Sequence, residues 1–275
     1  IPFAVRLLDF FSNHFSVSVS TQTMTLLAPI LEREAIAPNL FGSFADLLIA
    51  VEQHPAMLVY LNNEKSVGPN SKAGKRARGL NENLAREILE LHTLGVDGGY
   101  SLDDIRQLAM AISGWSITDE GDTGHGGFKF RDNYHQPGAR IILGKSYGDN
   151  GEAQGRAVLH DLARHRKTAE FISYKLVQHL IADQPPKQLV SAMVDTWVKT
   201  EGDIKAVVTT MIKHSQSWDS QSNKFKTPRE FVVSAYRAVN HPEAVDQGLL
   251  NILMRGLNFM GHKPFASGSP AGYSQ

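Results

Sequence analysis

No cysteine occurs anywhere in the chain. That excludes disulfides, thiolate metal sites and a cysteine nucleophile, and it is compatible with an exported protein. No apolar run approaches the roughly 18 residues that a membrane-spanning helix needs. Neither sign of charge is in excess, since 28 Lys and Arg face 28 Asp and Glu. A dedicated nucleic-acid binder usually carries a basic surplus, so nucleic acid is not expected as a partner. The spacings HExxH, GxSxG and GxGxxG and the EF-hand loop are all missing, which leaves no standard catalytic or calcium signature. What is present is an ordinary globular composition: 275 residues, 42% hydrophobic and 20% charged, enough to bury a core of normal size. The chain opens at Ile1 rather than Met. We therefore expect a preceding segment, with any secretion signal in it.

The stretch Leu80 to Tyr100, LNENLAREILELHTLGVDGGY, organises the rest. Asn81 can cap a helix by accepting from a free N–H of the first turn. Glu82 then suits the positive helix end, and Gly95 can stop the helix in the left-handed conformation. At about 100° per residue, Leu84, Ile88, Leu91 and Leu94 share one face, and Glu82, Asn83, Arg86, Glu87 and Glu90 share the other. Arg86 can pair with Glu82 or Glu90 four residues away. The same stretch resembles the bacterial family known as domain of unknown function 1800, whose motif reads N-E-N-x-A-R-E-x-x-E-L-x-T-L-G-V. Asn81, Glu82, Asn83, Ala85, Arg86, Glu87, Glu90, Leu91, Thr93, Leu94, Gly95 and Val96 match it. The resemblance covers nearly the whole chain and implies no agreed activity. It does imply export, to the periplasm or beyond, and a sulfatase-like protein encoded alongside as a partner.

Elsewhere the pattern is helical. Residues 3–15, 24–35, 44–53 (capped by Ser43), 55–62, 101–114, 152–164, 167–181 and 186–200 read as helices. So do the segment after Asp203, the capping box Thr227-Pro228-Arg229-Glu230 running to about Asn240, and residues 242–259. Residues 126–143 break the pattern, with alternating Phe128-Lys129-Phe130, a turn at Gln136-Pro137-Gly138 and an apolar Ile141-Ile142-Leu143. They predict a small β-hairpin. Residues 64–79, with five basic side chains and three glycines, read as a flexible basic loop with nothing to bury and as the first site of tryptic cleavage. A phosphate loop is rejected there: five residues separate Gly68 from Gly74, Arg76 replaces Ser or Thr, and no strand precedes. The fold expected is mostly α, a single multi-helix domain with a small β-hairpin insertion.

The chemistry candidates lie between elements. Asn13, His14 and Phe15 resemble the family element H-N-H-F, whose first His is Ser12 here. Half of any His-x-His metal pair is thus missing. If the polar face of the central helix points inward, its charges must be paired. His14 with Glu87 or Glu90, beside Arg86, is the expected pair. It would serve as a polar lock, a ligand or metal half-site, or a general-base pair. Asn13, Asn83 and His135 are candidate ligand-binding residues. His135 follows the Phe-x-Phe strand, as it does in the family. His160 and His165 diverge by about 140° on a helix, too far to share an ion. His92 diverges by about 160° from Glu90 and is expected to pack. Two functions stay open: an exported binding or scaffold protein at the cell envelope, or a hydrolase using His14 with Glu87 or Glu90, metal-assisted or not. No cofactor is indicated.

Overall fold

The computed structural model describes residues 2–74, 79–119, 126–219, 224–238 and 246–274. It is 59% helix. The helices are α1 (Phe3–His14), α2 (Gln22–Leu31), α3 (Ala37–Asn39), α4 (Phe44–Glu52), α5 (Pro55–Tyr60), α6 (Asn83–Glu87), α7 (Leu102–Ala111), α8 (Glu152–Arg164), α9 (Arg166–Leu180), α10 (Lys187–Thr200), α11 (Ile204–Lys213), α12 (Pro228–Ala238) and α13 (Gln247–Phe259). Two π-helical segments, Glu32–Ile36 and Ile88–Thr93, continue α2 and α6. No described helix is long and apolar enough to cross a membrane.

Local chemistry places the helix starts. Ser43 accepts from the N–H of Ala45 and Asp46. Ser101 and Asp104 form a reciprocal capping box, as do Thr227 and Glu230. Each satisfies N–H groups that a helix leaves open. The caps of α4 and α11 are also joined: Phe44 N–H donates to Gly202 O and Ile204 N–H to Gly42 O. The last helix starts at Gln247 on an Asp246 cap. Residues 239–245, where two of the expected boundaries fall, lie outside the described residues.

The core is one contiguous cluster in which α1, α4 and the central segment meet. Helix α4 packs on α8, α10 packs on both α9 and α11, and the Ile88–Thr93 turn packs on α9. An aromatic row runs through this core: Phe11 and Phe15 stack, Phe15 faces Phe44, and Phe44 tilts onto Trp197 at 5.0 Å.

Two sequence expectations need correction. Phe128–Phe130 pairs antiparallel with Trp115–Ile117, and Arg140–Ile142 pairs with Lys145–Tyr147. We call these strands β2 with β1, and β3 with β4. The excursion is therefore two short hairpins. The Pro137-Gly138 turn links them rather than closing one, because the strand partners lie before and after the segment. The basic loop is also not bare. Val67 and Ser66 are buried. Gly68 N–H donates to Tyr134 O, Ala73 N–H to Asn133 O, and Asn70 N–H to Gln136 Oε1. Its described part is thus docked on the β2–β3 connection. Residues 75–78, which hold three of the basic side chains, lie outside the described residues.

Candidate functional site

The central segment enters at Asn81, whose Oδ1 accepts from Asn83 N–H at 2.8 Å. The helix proper starts at Asn83, one residue later than a cap at Asn81 suggests. From Ile88 it widens into a π-helical turn: Thr93 Oγ1 donates to Ile88 O at 2.6 Å, and Leu94 N–H to Leu89 O. Gly95 then takes φ +83° and ends it. A Cβ there would also press on the Phe171 ring at 3.0 Å.

The wider turn shifts the faces. Leu89 and His92 are buried along with Leu84, Ile88 and Leu94, while Leu91 is only part-buried. A π turn inserts one extra residue per turn, so positions after it rotate against a uniform helical period. His92 is thereby aimed inward, at α4. There Glu52, the last residue of a helix whose other carboxylate is the exposed Asp46 of its first turn, is fully buried. His92 Nδ1 lies 2.7 Å from Glu52 Oε1, and both side chains are 0% exposed. A carboxylate at the negative end of its own helix is poorly placed, and His92 supplies the donor it needs. Glu52 Oε2 and His92 Nε2 have no hydrogen-bond partner.

His14 comes next. Its Nε2 lies 3.1 Å from the carbonyl oxygen of His92, so Nε2 carries the proton and Nδ1 the lone pair. Lys175 Nζ, from α9, donates to that Nδ1 at 3.1 Å. The result is a chain from half-buried Lys175 through His14 and the His92 backbone to the sealed Glu52. Burial pushes the His14 imidazole well below its usual range, and Lys175 and His92 push the same way. Burial lowers the Lys175 ammonium to about 8. No carboxylate pairs with Lys175 among the described residues.

His14 is therefore not joined to Glu87 or Glu90 as expected. Arg86 pairs with Glu90 at 3.1 Å on the surface of the segment, and Asn83 is exposed. Glu87 is half-buried and forms no ion pair among the described residues. Burial raises its pKa, with Glu90 and Glu52 adding to the rise and His92 and Arg86 opposing it. Its charge is thus disfavoured by the fold. Neutralising it should cost nothing: we expect Glu87→Gln to melt at or above the wild-type temperature in a thermal scan, and a clear drop would make Glu87 part of the lock. His135 sits apart, donating from Nδ1 to Ser113 O at 3.0 Å beneath the hairpins. Among the described residues no group of three His, Asp or Glu is placed to hold a metal ion.

Asn13 does something else. Its side-chain amide accepts from Tyr273 N–H at 2.7 Å and donates to Tyr273 O at 2.9 Å, so it reads one residue's backbone at both ends. Gly272 beside it has φ +77°, and a Cβ there would overlap Asn13 O at 2.3 Å. The C-terminal segment 262–274 is also held by Val19 N–H on Phe265 O and by Ser16 and Ser18 on Ser267. Between this segment, α1 and α12 lies a cavity of about 330 Å³. Asp9, Glu32, Glu230, Arg6, Arg229 and His179 face it. Arg229 pairs with Asp9, and Arg6 pairs with Glu230 at 2.6 Å. Arg86 and Glu87 do not line this cavity. Asn83 lines a separate, more open one beside Asn62 and Lys65.

The cavity wall carries two opposed titrations. Burial lifts the Asp9 carboxyl to about 6, against Arg229 and with help from Glu32 and Glu230. Burial lowers the His179 imidazole to about 4. A raised carboxyl favours the fold as pH falls through 6. A lowered imidazole contributes stability above its usual 6.5 that is lost as pH falls toward 4. We expect Asp9→Asn to remove the compensating slope, so that its melting temperature falls more steeply than the wild type between pH 6 and 4. Parallel curves in that window would contradict the assignment.

Sequence reasoning found His14 and Asn13 but not Glu52, Lys175 or the cavity. The signal for Glu52 was a carboxylate closing the apolar run LLIAV in FADLLIAVE, away from the helix N-terminus that Asp46 suits. No curated protein and no solved structure matches the chain. The family model described as "Protein of unknown function (DUF1800)" matches residues 1–275, the full length that carries both the central segment and the Asn13-His14-Phe15 element. The chain belongs to the DUF1800 family.

Proposed function

We propose that this chain is a helical binding or scaffold protein, exported and acting at the bacterial cell envelope. The observation that supports it is the burial of the Glu52–His92 pair and of His14, 0%, 0% and 1% exposed. The residues best suited to acid–base chemistry are spent on one another, and a substrate cannot reach them without opening the core. A carboxylate–imidazole pair sealed in this way fixes how α4, the central segment and α1 sit together. The binding surfaces are then elsewhere, and the family resemblance points to the sulfatase-like neighbour as partner. The test is to mix the two purified proteins and follow complex formation by gel filtration and calorimetry. We expect a complex that survives Glu87→Gln. No complex at about 10 μM of each, together with ester or amide hydrolysis lost in His14→Gln, would reverse the reading.

One observation favours the hydrolase alternative, and it is not the expected His14–Glu87 pair. Lys175 is half-buried, its ammonium is lowered to about 8, and it donates to a His14 held in one tautomer. Such an amine would be the reacting group in that alternative. Hydrolysis lost in Lys175→Met but kept in Glu87→Gln would support it.

A further inference from the structure

The cavity between α1, α12 and the C-terminal segment has an unbalanced charge. From α1 it receives Arg6 and Asp9, from the segment after α2 Glu32, and from α9 His179. From α12 it receives Arg229 and Glu230, and from the C-terminal segment His262 and Tyr273. Burial keeps both His179 and His262 low, so they are neutral near pH 7. Three carboxylates then face two guanidiniums, one negative charge in excess.

The excess can be located. Asp9 has Arg229 and Glu230 has Arg6. Glu32 has only Ser12, whose Oγ donates to Oε2 at 2.7 Å. No Lys, Arg or His among the described residues comes within ion-pair distance of it. A carboxylate in a partly enclosed wall with no cation is electrostatically unfinished. Val17, Met254, Leu257, Pro264 and Phe265 supply apolar wall, beside uncharged polar groups from serine, threonine and asparagine side chains. Apolar walls with a few convergent polar groups are the usual make-up of a small-molecule site, and about 330 Å³ lies at the small end of such sites.

We propose that this cavity binds a small organic monocation, an amine or guanidine with an apolar body, its charged head on Glu32. The inference rests on the binding reading above but not on the sulfatase-like partner. The ammonium donates to the free side of the Glu32 carboxylate and replaces the missing counter-charge. The body displaces water from the apolar wall. An anion would meet three carboxylates, and a neutral isostere would leave Glu32 unpaired. The site should also weaken in acid. As Asp9 takes up its proton, near pH 6, the negative excess disappears and Arg229 loses its partner.

The test is calorimetric titration of the purified chain with phenethylamine, cyclohexylmethylamine and benzylamine. Phenethyl alcohol and phenylacetate serve as neutral and anionic controls. We expect at least one amine to bind about tenfold or more tighter than the alcohol, with no heat from the acid. Glu32→Gln keeps the Ser12 contact, and should remove the preference for amine over alcohol while leaving the melting temperature and alcohol binding unchanged. Affinity for the amine should fall as pH drops from 7 to 5. Equal binding of amine and alcohol, amine binding unchanged in Glu32→Gln, or no binding by any of the three amines up to about 10 mM would overturn the proposal. Complex formation with the sulfatase-like protein, measured separately, is predicted to be indifferent to these outcomes, so the two readings can fail independently.

Discussion

His92→Ala should lower the unfolding free energy by about 3–5 kcal/mol. The substitution leaves the Glu52 carboxylate, 0% exposed, without its donor at the end of α4. It also opens a hole between the Phe15 ring and the Glu52 side chain, since the His92 ring stands 5.2 Å from Phe15. Unpairing a buried charge and creating a cavity both destabilise. Against a typical total of about 5–15 kcal/mol, the loss is large enough to move the urea midpoint far with little change in slope. Glu52→Ala should cost a comparable amount. A loss below about 1 kcal/mol, the range of exposed pairs, would mean that the two groups reach water.

Phe15→Ala should cost a similar amount, about 3–5 kcal/mol. Phe15 is fully buried and meets the His14 ring edge-on at 4.6 Å, the His92 ring at 5.2 Å, and Phe11 and Phe44 on its other sides. It is the wedge that holds both imidazoles at fixed angles. Its removal should therefore do more than an ordinary core truncation. The His14 and His92 ring resonances should shift and broaden in the NMR spectrum, while those of His135, beneath the hairpins, stay in place. A destabilised variant with unmoved His14 and His92 signals would separate the packing of Phe15 from the polar chain.

These two cases also mark how far the chain could be read before folding. Capping chemistry is local, so Ser43, Ser101 with Asp104, and Thr227 with Glu230 were legible and stand where expected. Gly95 as a helix stop is legible for the same reason. The strand pairing was not, because Phe128–Phe130 finds its partner upstream at Trp115–Ile117, whereas the turn at Gln136-Pro137-Gly138 pointed downstream. The site was half legible. His14 stood out by residue type, but its partners are a backbone carbonyl and a lysine 161 positions away. His92 was set aside because a uniform 100° period turns it away from the acidic face. His92 does point away from that face, but it is not an inert packing residue: the π-helical turn sets its final direction and carries it onto Glu52, the carboxylate that closes α4. Glu87 and Glu90 drew attention by their density of charge, and that density is a surface property, with Arg86 and Glu90 paired at part-exposed positions.

The cavity at α1 is a third case. Asn13 was singled out for binding, and its amide is instead clamped on the Tyr273 backbone. What that clamp positions is the wall of the cavity, whose charges come from segments up to 224 residues apart, as Arg6 and Glu230 are. No local pattern in the sequence could have gathered them.

The account turns on Glu52 and His92 being a mutually dependent, water-free pair that locks the helices. A double-mutant cycle with Glu52→Leu and His92→Leu, followed by urea unfolding of all four proteins, measures that dependence directly. We expect each single change to be costly, and the double variant to recover much of the loss, because replacing both partners of a buried pair by apolar groups is often tolerated. The coupling energy should be about 2–3 kcal/mol. Additive costs, with a double variant as weak as the sum of its parts, would contradict the lock.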